Sequence, residues 1–189
     1  MRAAMQARLL GRAEERGLIH WRYGAVDGSY PPSKGGGEGI AYGRKGKGIL
    51  IHSLTDGAGM PLATRTTLAN GQVIPLLDAL PVRIGKRGRP HKRFKVLAAD
   101  KGYEANDLRQ CLRNRGIHLQ FPTRVWKTRK AHGQPIKKDI PRFQAEWTFA
   151  RFQRKYRRAV VRWECLAVCF NAFLAIAMMS MGVHRFIEG

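Results

Sequence analysis

Acidic residues are scarce in this chain: 13 Asp and Glu stand against 35 Lys and Arg in 189 residues, a formal net charge of +22. Charge of that size strains a solitary compact fold by self-repulsion and makes sense when the usual partner is a polyanion. It disfavours an acidic-surface binder or an ordinary metabolic enzyme. Nucleic acid is the leading partner, and an anionic membrane surface is second. Cysteine is sparse too. Cys111, Cys165 and Cys169 are odd in number and form no Cys-x-x-Cys pair, which argues against a disulfide framework and a zinc ribbon. Cys165 and Cys169 sit in an apolar run and read as packed small hydrophobes, and free thiols fit a reduced, cytoplasmic compartment. The basic segment 1–17 lacks the long apolar stretch of a signal peptide. A clean membrane span is missing as well. The run from Cys165 to Val183 is interrupted by Asn171, Ser180 and Gly182 and diluted by alanine, so it reads as a helix buried against a sheet.

What is present suffices for a core: 44% of residues are hydrophobic, which makes wholesale disorder a poor reading and suits one domain. Residues 2–17 have helix-forming composition and stop at Gly17. Ile19 to Asp27 is a strand candidate that delivers Asp27 at its end. Residues 31–48, rich in glycine and in Lys and Arg, predict a mobile basic loop. Gly48 to Asp56 and Met60 to Leu68 are strand candidates joined by a glycine-rich turn, a hairpin signal. Residues 72–80 read as a short helix provided that Pro75 falls in its first turn. Residues 83–95 are basic and loop-like. A short strand at Val96–Ala99 ends in Asp100, a helix covers 104–115, and a further strand covers Ile117–Phe121. Residues 123–141 form another basic loop, and 142–180 form one long helix or two. This order predicts an α/β domain with a mixed sheet, antiparallel at first and parallel later.

Asp27 and Asp100 share a setting, since each closes an apolar strand-like run. Side chains at strand ends in open α/β sheets line the crevice where ligands bind. Carboxylate oxygens there suit hard divalent cations, and two such ends on neighbouring strands can bridge one or two metals. Either aspartate alone reads as a turn residue or helix cap. Their combination with a strong positive charge points to metal-assisted phosphodiester chemistry.

The strings VDGSY at Val26–Tyr30, LTDGAGMPLATRTTLANGQV at Leu54–Val73, LAADKGYEANDLRQCLRNRGI at Leu97–Ile117 and RFQAEWTFARFQRKYRR at Arg142–Arg158 resemble the DDE transposases of bacterial insertion sequences. The similarity runs from about Ile19 to Ser180, and ADKGY is its most specific part. The resemblance implies an RNase H-like mixed sheet flanked by helices, with a long C-terminal helical region. It divides the chain into a short N-terminal helical remnant, 1–18, and a catalytic domain, 19–189. It implies that Asp27, Asp100 and Glu146 are the catalytic carboxylates and hold two Mg²⁺ or Mn²⁺ ions. It also implies double-stranded DNA as partner, at transposon ends and target, and a homodimer or larger synaptic complex without a membrane role. The chemistry implied is hydrolysis and strand transfer in the bacterial cytoplasm, associated with the nucleoid.

The chain departs from the family pattern in places. Trp147 stands where an Arg usually follows the glutamate. Arg142 matches the Arg of the Tyr-Arg-Glu-Lys signature, but Asp139 and Gln153 occupy its Tyr and Lys positions, with Arg151 or Arg154 as substitutes for the lysine. Glu164 competes for the third carboxylate, although Arg162-Trp163-Glu164 resembles a later, structural Arg-Tyr-Glu segment. Asp56 is explained by its turn, and His52 and His118 read as packing or surface residues. Phosphate contacts are assigned to Lys34, Arg44, Lys45, Lys47, Arg87, Arg89, Lys92, Arg93, Lys101, Arg142, Arg151 and Arg154. Trp126 and Trp147 could stack on a base, with core burial favoured for Trp147. The competing reading is a catalytically inactive truncated transposase that acts as a DNA-binding repressor. Either way, if roughly six to ten phosphates are neutralised, DNA affinity should fall about 10³- to 10⁵-fold between about 50 and 200 mM salt. A salt titration with a flat response would contradict the charge argument.

Overall fold

The computed structural model describes residues 2–43, 46–67, 72–80, 94–121 and 143–188. Five apolar strands make the central sheet: β1 (Tyr23–Ser29), β4 (Leu50–Asp56), β5 (Pro61–Thr67), β6 (Val96–Ala99) and β7 (His118–Gln120), in the order β5-β4-β1-β6-β7. A separate two-stranded hairpin joins β2 (Ala41–Gly43) to β3 (Gly46–Gly48). As expected, β1, β4 and β5 pair antiparallel, whereas β6 and β7 extend the sheet in parallel. This is the mixed, RNase H-like sheet that the resemblance implies.

The helices are α1 (Arg2–Glu15), α2 (Val73–Asp78), α3 (Asn106–Asn114), α4 (Phe143–Lys155) and α5 (Ala167–Glu188). Two buried clusters show how they share the sheet. Leu10 of α1, Leu76 and Leu77 of α2 and Leu112 of α3 pack with Val26, Leu54 and Leu97. Phe149 and Phe152 of α4, with Phe170, Leu174 and Met178 of α5, pack with Ile49 and Ile51. Side chains alternate across a strand, so Val26 and Asp27 face opposite ways, and Asp27 shares the face of Ala25. α1 also packs along α5, and Gln6 donates to the Leu62 carbonyl at 2.9 Å.

Several expectations are adjusted by packing. β1 begins at Tyr23 and runs to Ser29, so Asp27 lies inside the strand, two residues from its end. The segment before it is bent because the His20 N–H donates to Asp56 and the Gly57 N–H to the His20 carbonyl. Pro75 does fall in the first turn of α2. The 142–180 region forms two helices separated by a 3-10 turn at Arg157–Ala159 and an extended bridge from Arg162 to Ser33. The glycine-rich loop, expected to be mobile, is pinned there. A Cβ on Gly35 would lie 2.4 Å from the Trp163 carbonyl oxygen, and one on Gly37 would lie 2.1 Å from that of Cys165. Only glycine permits that backbone approach. Cys165 and Cys169 are exposed, not packed: Cys165 lies before α5 with its Sγ 3.5 Å from the Gly35 carbonyl, and Cys169 is on the outer side of α5. The 83–93 and 123–141 loops lie outside the described residues.

Asp56 holds the β4–β5 turn together. Its fully buried carboxylate accepts N–H groups from His20 (2.9 Å), Ala58 (3.0 Å) and Met60 (2.8 Å). Burial pushes its pKa up, and those three N–H groups oppose the shift without cancelling it. Asp56→Ala would strand three donors and should cost roughly 3 kcal/mol or more in denaturant unfolding. The pH dependence has a definite sign. A raised native pKa means that the folded state holds the proton longer, so this group's contribution falls as pH rises from the ordinary carboxylate range through the folded value. Relative to Asp56→Asn, the wild type should therefore lose stability over that window. A difference that rises with pH would refute the assignment.

Candidate active site

The register of β6 against β1 creates the site. Val26 pairs with Ala99, so Asp27 and Asp100 are the next residues on neighbouring parallel strands, which run about 5 Å apart. Asp27 Oδ1 accepts the Gly28 N–H at 2.8 Å, which fixes its rotamer on the strand. Asp100 precedes a 3-10 turn, Lys101–Tyr103, yet its side chain makes no capping bond to that turn. The helix-cap reading of Asp100 therefore fails to account for its carboxylate.

Glu146 arrives from the first turn of α4, where a carboxylate is favoured by the unpaired N–H groups of the helix start. α4 crosses β1 and β4, anchored by buried Ala145, Phe149 and Phe152. Buried Thr148, two residues after Glu146, donates to the Gly59 carbonyl at 2.9 Å and so ties α4 to the turn that Asp56 organises. Val26, Asp27, Asp100 and Glu146 together line one cavity of about 170 Å³. All three side chains offer carboxylate oxygens, the donor set taken by hard cations such as Mg²⁺ and Mn²⁺. The space admits ions with part of their water shells. Among the described residues no three His, Cys, Asp or Glu side chains are gathered into a ready-made metal cluster.

Glu164, the competitor, is not in that cavity. It pairs with Arg158 at 2.6 Å. Partial burial would push its carboxyl up, but its own N–H, the Arg158 guanidinium and the Trp163 N–H hold it below the usual carboxylate range. Arg162 is fully buried. Its guanidinium donates to the carbonyls of Glu38, Glu164 and Cys165 and lies over the Phe170 ring, a structural use of the cation. Trp147, expected in the core, is 58% exposed, because the buried face of α4 is taken by Ala145, Thr148, Phe149 and Phe152.

The basic residues are more dispersed. Lys34, Lys47, Lys101, Arg151 and Arg154 are exposed, and none of them lines the carboxylate cavity. Arg151 instead borders a separate space of about 30 Å³ with Met60, His184 and Arg185. At 3.6 residues per turn, Gln153 stands about 20° round α4 from Glu146, Arg154 about 80° and Arg151 about 140°. Arg154 is thus the nearer substitute for the family lysine. Arg44, Lys45, Arg87, Arg89, Lys92, Arg93, Trp126, Asp139 and Arg142 lie outside the described residues.

His52, expected as a packing or surface residue, is buried against a partner. Buried Tyr103 and His52 meet at 2.6 Å, hydroxyl to Nδ1, with their rings edge to face. Gly28 pairs with His52 across β1 and β4, and a Cβ on Gly28 would lie 2.9 Å from the Tyr103 hydroxyl. The pair therefore backs the strand immediately behind Asp27. Burial, then the charges of Asp27 and Asp100, push the phenol pKa up, so it stays protonated. The signal was present in VDG and DKGY, but nothing in either string says that they interlock. Gly28→Ala should cost roughly 1–3 kcal/mol through that clash. Tyr103→Phe should recover part of it, with a coupling of at least about 0.5 kcal/mol in a double-mutant cycle. Simple additivity would sink this account of the glycine.

Residues 24–181 match the transposase DDE domain family. A Burkholderia cepacia protein assigned as a transposase for insertion sequence element IS402 is 39% identical over 133 residues, which cover 68% of this chain and 60% of that protein. Among solved structures, the piggyBac transposase synaptic complex with hairpin DNA is similar in fold, with TM-score 0.60 at 8% identity, over 95% of this chain and 52% of that one. The catalytic domain of Mos1 mariner transposase is more distant, with TM-score 0.46 at 12% identity, over 97% and 88% of the two chains. The chain thus spans 60% of its IS402 relative and about half of piggyBac transposase.

Proposed function

The chain belongs to the transposase DDE domain family, and from that premise we propose that it cuts and joins DNA at the ends of an insertion sequence by phosphodiester hydrolysis and strand transfer. The observation that carries this reading is the cavity shared by Asp27, Asp100 and Glu146, brought together from β1, the end of β6 and α4. In it, these three carboxylates would hold two Mg²⁺ or Mn²⁺ ions. Bound there, the ions would supply Lewis-acid polarisation of the phosphoryl oxygens and a lowered pKa for a coordinated water.

The remaining work falls to the chain. Asp27 and Asp100 keep their spacing through strand pairing, so little reorganisation is needed as charge develops. Both reactions are in-line displacements at phosphorus, first by water and then by the freed 3′-hydroxyl, and neither needs a covalent protein intermediate. Exposed Lys34, Lys47, Lys101 and Arg154 contact phosphates and position the duplex without reading its sequence. Lys101 follows Asp100 directly and offsets charge beside the reacting phosphate. Two ends have to be held together, so a paired assembly on DNA belongs to this reading.

A second reading, DNA binding without catalysis, is favoured by Trp147 and Gln153, where the family carries Arg and Lys. One experiment separates the two. Purified protein with Mn²⁺ or Mg²⁺ should nick DNA that carries its own element's ends, and Asp100→Ala should abolish nicking while leaving DNA binding intact or tighter. Mn²⁺ binding followed by electron paramagnetic resonance should weaken in the same variant. Metal-independent nicking, or full activity in Asp100→Ala, would overturn the site assignment. End binding with no nicking in either metal would leave the binding-only reading standing.

A further inference from the structure

α5 has two unlike faces. On one, Phe170, Leu174, Ala177, Met178 and Met181 are buried against Ile49, Ile51, Phe149 and Phe152. Thr64 donates to Met178 Sδ and Thr66 to Asn171, both at 2.8 Å, which locks that face onto β5. On the other face Cys169, Phe173, Ile176, Ser180, Val183 and Ile187 are all exposed. Their spacing runs four, three, four, three, four, the alternation that draws one straight stripe along a helix and lets it pair with another. With Val168 added, these are the exposed residues described on α5, and none is charged. In a chain with 35 Lys and Arg that is a conspicuous gap. The helix has a mean hydropathy of 1.7 over a span of 21 residues, yet its inner face is committed to the sheet. Among the described residues the Arg158 guanidinium lies 5.3 Å from the Phe173 ring centroid, while the other apolar residues of the outer stripe stay exposed and call for a cover.

We propose that the cover is a second copy of this chain, docked α5 against α5 in antiparallel orientation. The stripe is self-complementary in that sense. A two-fold axis beside Met178 sets Cys169 opposite Ile187, Phe173 opposite Val183 and Ile176 opposite Ser180, each pairing made twice, as in an isologous interface. Larger side chains then face smaller ones. Charge selects the direction. Arg157 is exposed on the 3-10 turn that precedes α5 in the chain, and a parallel pair would bring its two copies together and align the helix dipoles, whereas the charge of Arg158 is already met by Glu164. Charge also selects the face, since elsewhere two copies at +22 repel and the neutral stripe is where they can approach. Phe173, Ile176, Val183 and Ile187, with Leu166 and Val168 beside them, leave on the order of 500 Å² of apolar surface per copy. A pair covers roughly 1,000 Å², the size at which specific interfaces begin. No residue of α5 lines the carboxylate cavity, so the interface rests on no step of the proposed reaction.

The test uses the full chain without DNA. Sedimentation velocity at micromolar protein should show a dimer. Ile176→Glu, which places a charge in the seam, should weaken association at least about tenfold. Its far-ultraviolet circular dichroism should be unchanged, because the side chain is already 56% exposed in the single copy, while its thermal midpoint should lose the concentration dependence that a dimer confers. A second variant keeps the test independent of that substitution's folding. With Cys111 and Cys165 replaced by Ser, Cys169 together with Ile187→Cys should form a covalent dimer on mild oxidation. Cys169 alone should not, because antiparallel helices hold the two Cys169 residues about 27 Å apart. Efficient cross-linking through Cys169 alone would overturn the antiparallel geometry. A dimer unaffected by Ile176→Glu would place the interface elsewhere and overturn the proposal. So would a monomer at all concentrations, including one that floats with phosphatidylcholine–phosphatidylglycerol vesicles, which would make a lipid surface the cover. Loss of nicking in Asp100→Ala with an intact dimer, or the reverse, keeps this proposal separate from the catalytic one.

Discussion

Parallel pairing of β1 with β6 is the constraint on which the candidate site depends. With Val26 opposite Ala99, Asp27 and Asp100 have no choice but to sit side by side. Two like charges on neighbouring strands repel, more strongly near a protein surface than in water. The fold sustains that arrangement because the residues behind it are apolar and buried: Ala25 and Val26 on one strand, Leu97, Ala98 and Ala99 on the other. On the far face the Tyr103 hydroxyl sits over Gly28 and bonds to His52, so the strand is backed where it carries the aspartate. A cation between the carboxylates would turn the repulsion into attraction, which gives the cavity its chemical direction.

The third carboxylate is held by a longer chain of contacts. Asp56 is the opposite of the site residues. It is fully buried and surrounded by three backbone N–H donors. Those bonds shape the turn at 56–60, Gly59 in that turn accepts Thr148, and Thr148 fixes the first half of α4, where Glu146 lies. One aspartate is thus structural and two line the cavity, although all three close apolar runs in the sequence. What separates them is which groups surround each one.

Basic residues divide in the same way. Among the described residues most Lys and Arg are exposed, where they suit a polyanion, but Arg162 is enclosed and satisfied by three carbonyls from two segments. It joins the glycine-rich loop to the start of α5, and Gly35 and Gly37 allow the two backbones to touch. The loop's high glycine content therefore serves close contact there as well as freedom. α5 then carries apolar residues on both faces, one spent on the sheet and one left outward.

Much of this was legible in the residues. The strand runs, the hairpin turn, the tolerated Pro75, the switch from antiparallel to parallel pairing and the placing of Asp27 and Asp100 at the ends of neighbouring strand-like runs follow from periodicity and turn chemistry, whereas Glu146 entered only through the family resemblance. These are local properties, and local sequence carries them. Other features were not legible. The exposure of Trp147, Cys165 and Cys169, the burial of Arg162, the pinning of Gly35 and Gly37 and the Tyr103–His52 contact each depend on which face of one segment meets another far along the chain. Apolar composition tells that a helix such as α5 has surface to cover, but not on how many sides the domain covers it. The sequence by itself determined the elements and the chemistry they can bear. Tertiary packing decided which carboxylates face a common space and which cation is buried, because those outcomes are set by distances between residues that no spacing along the chain encodes.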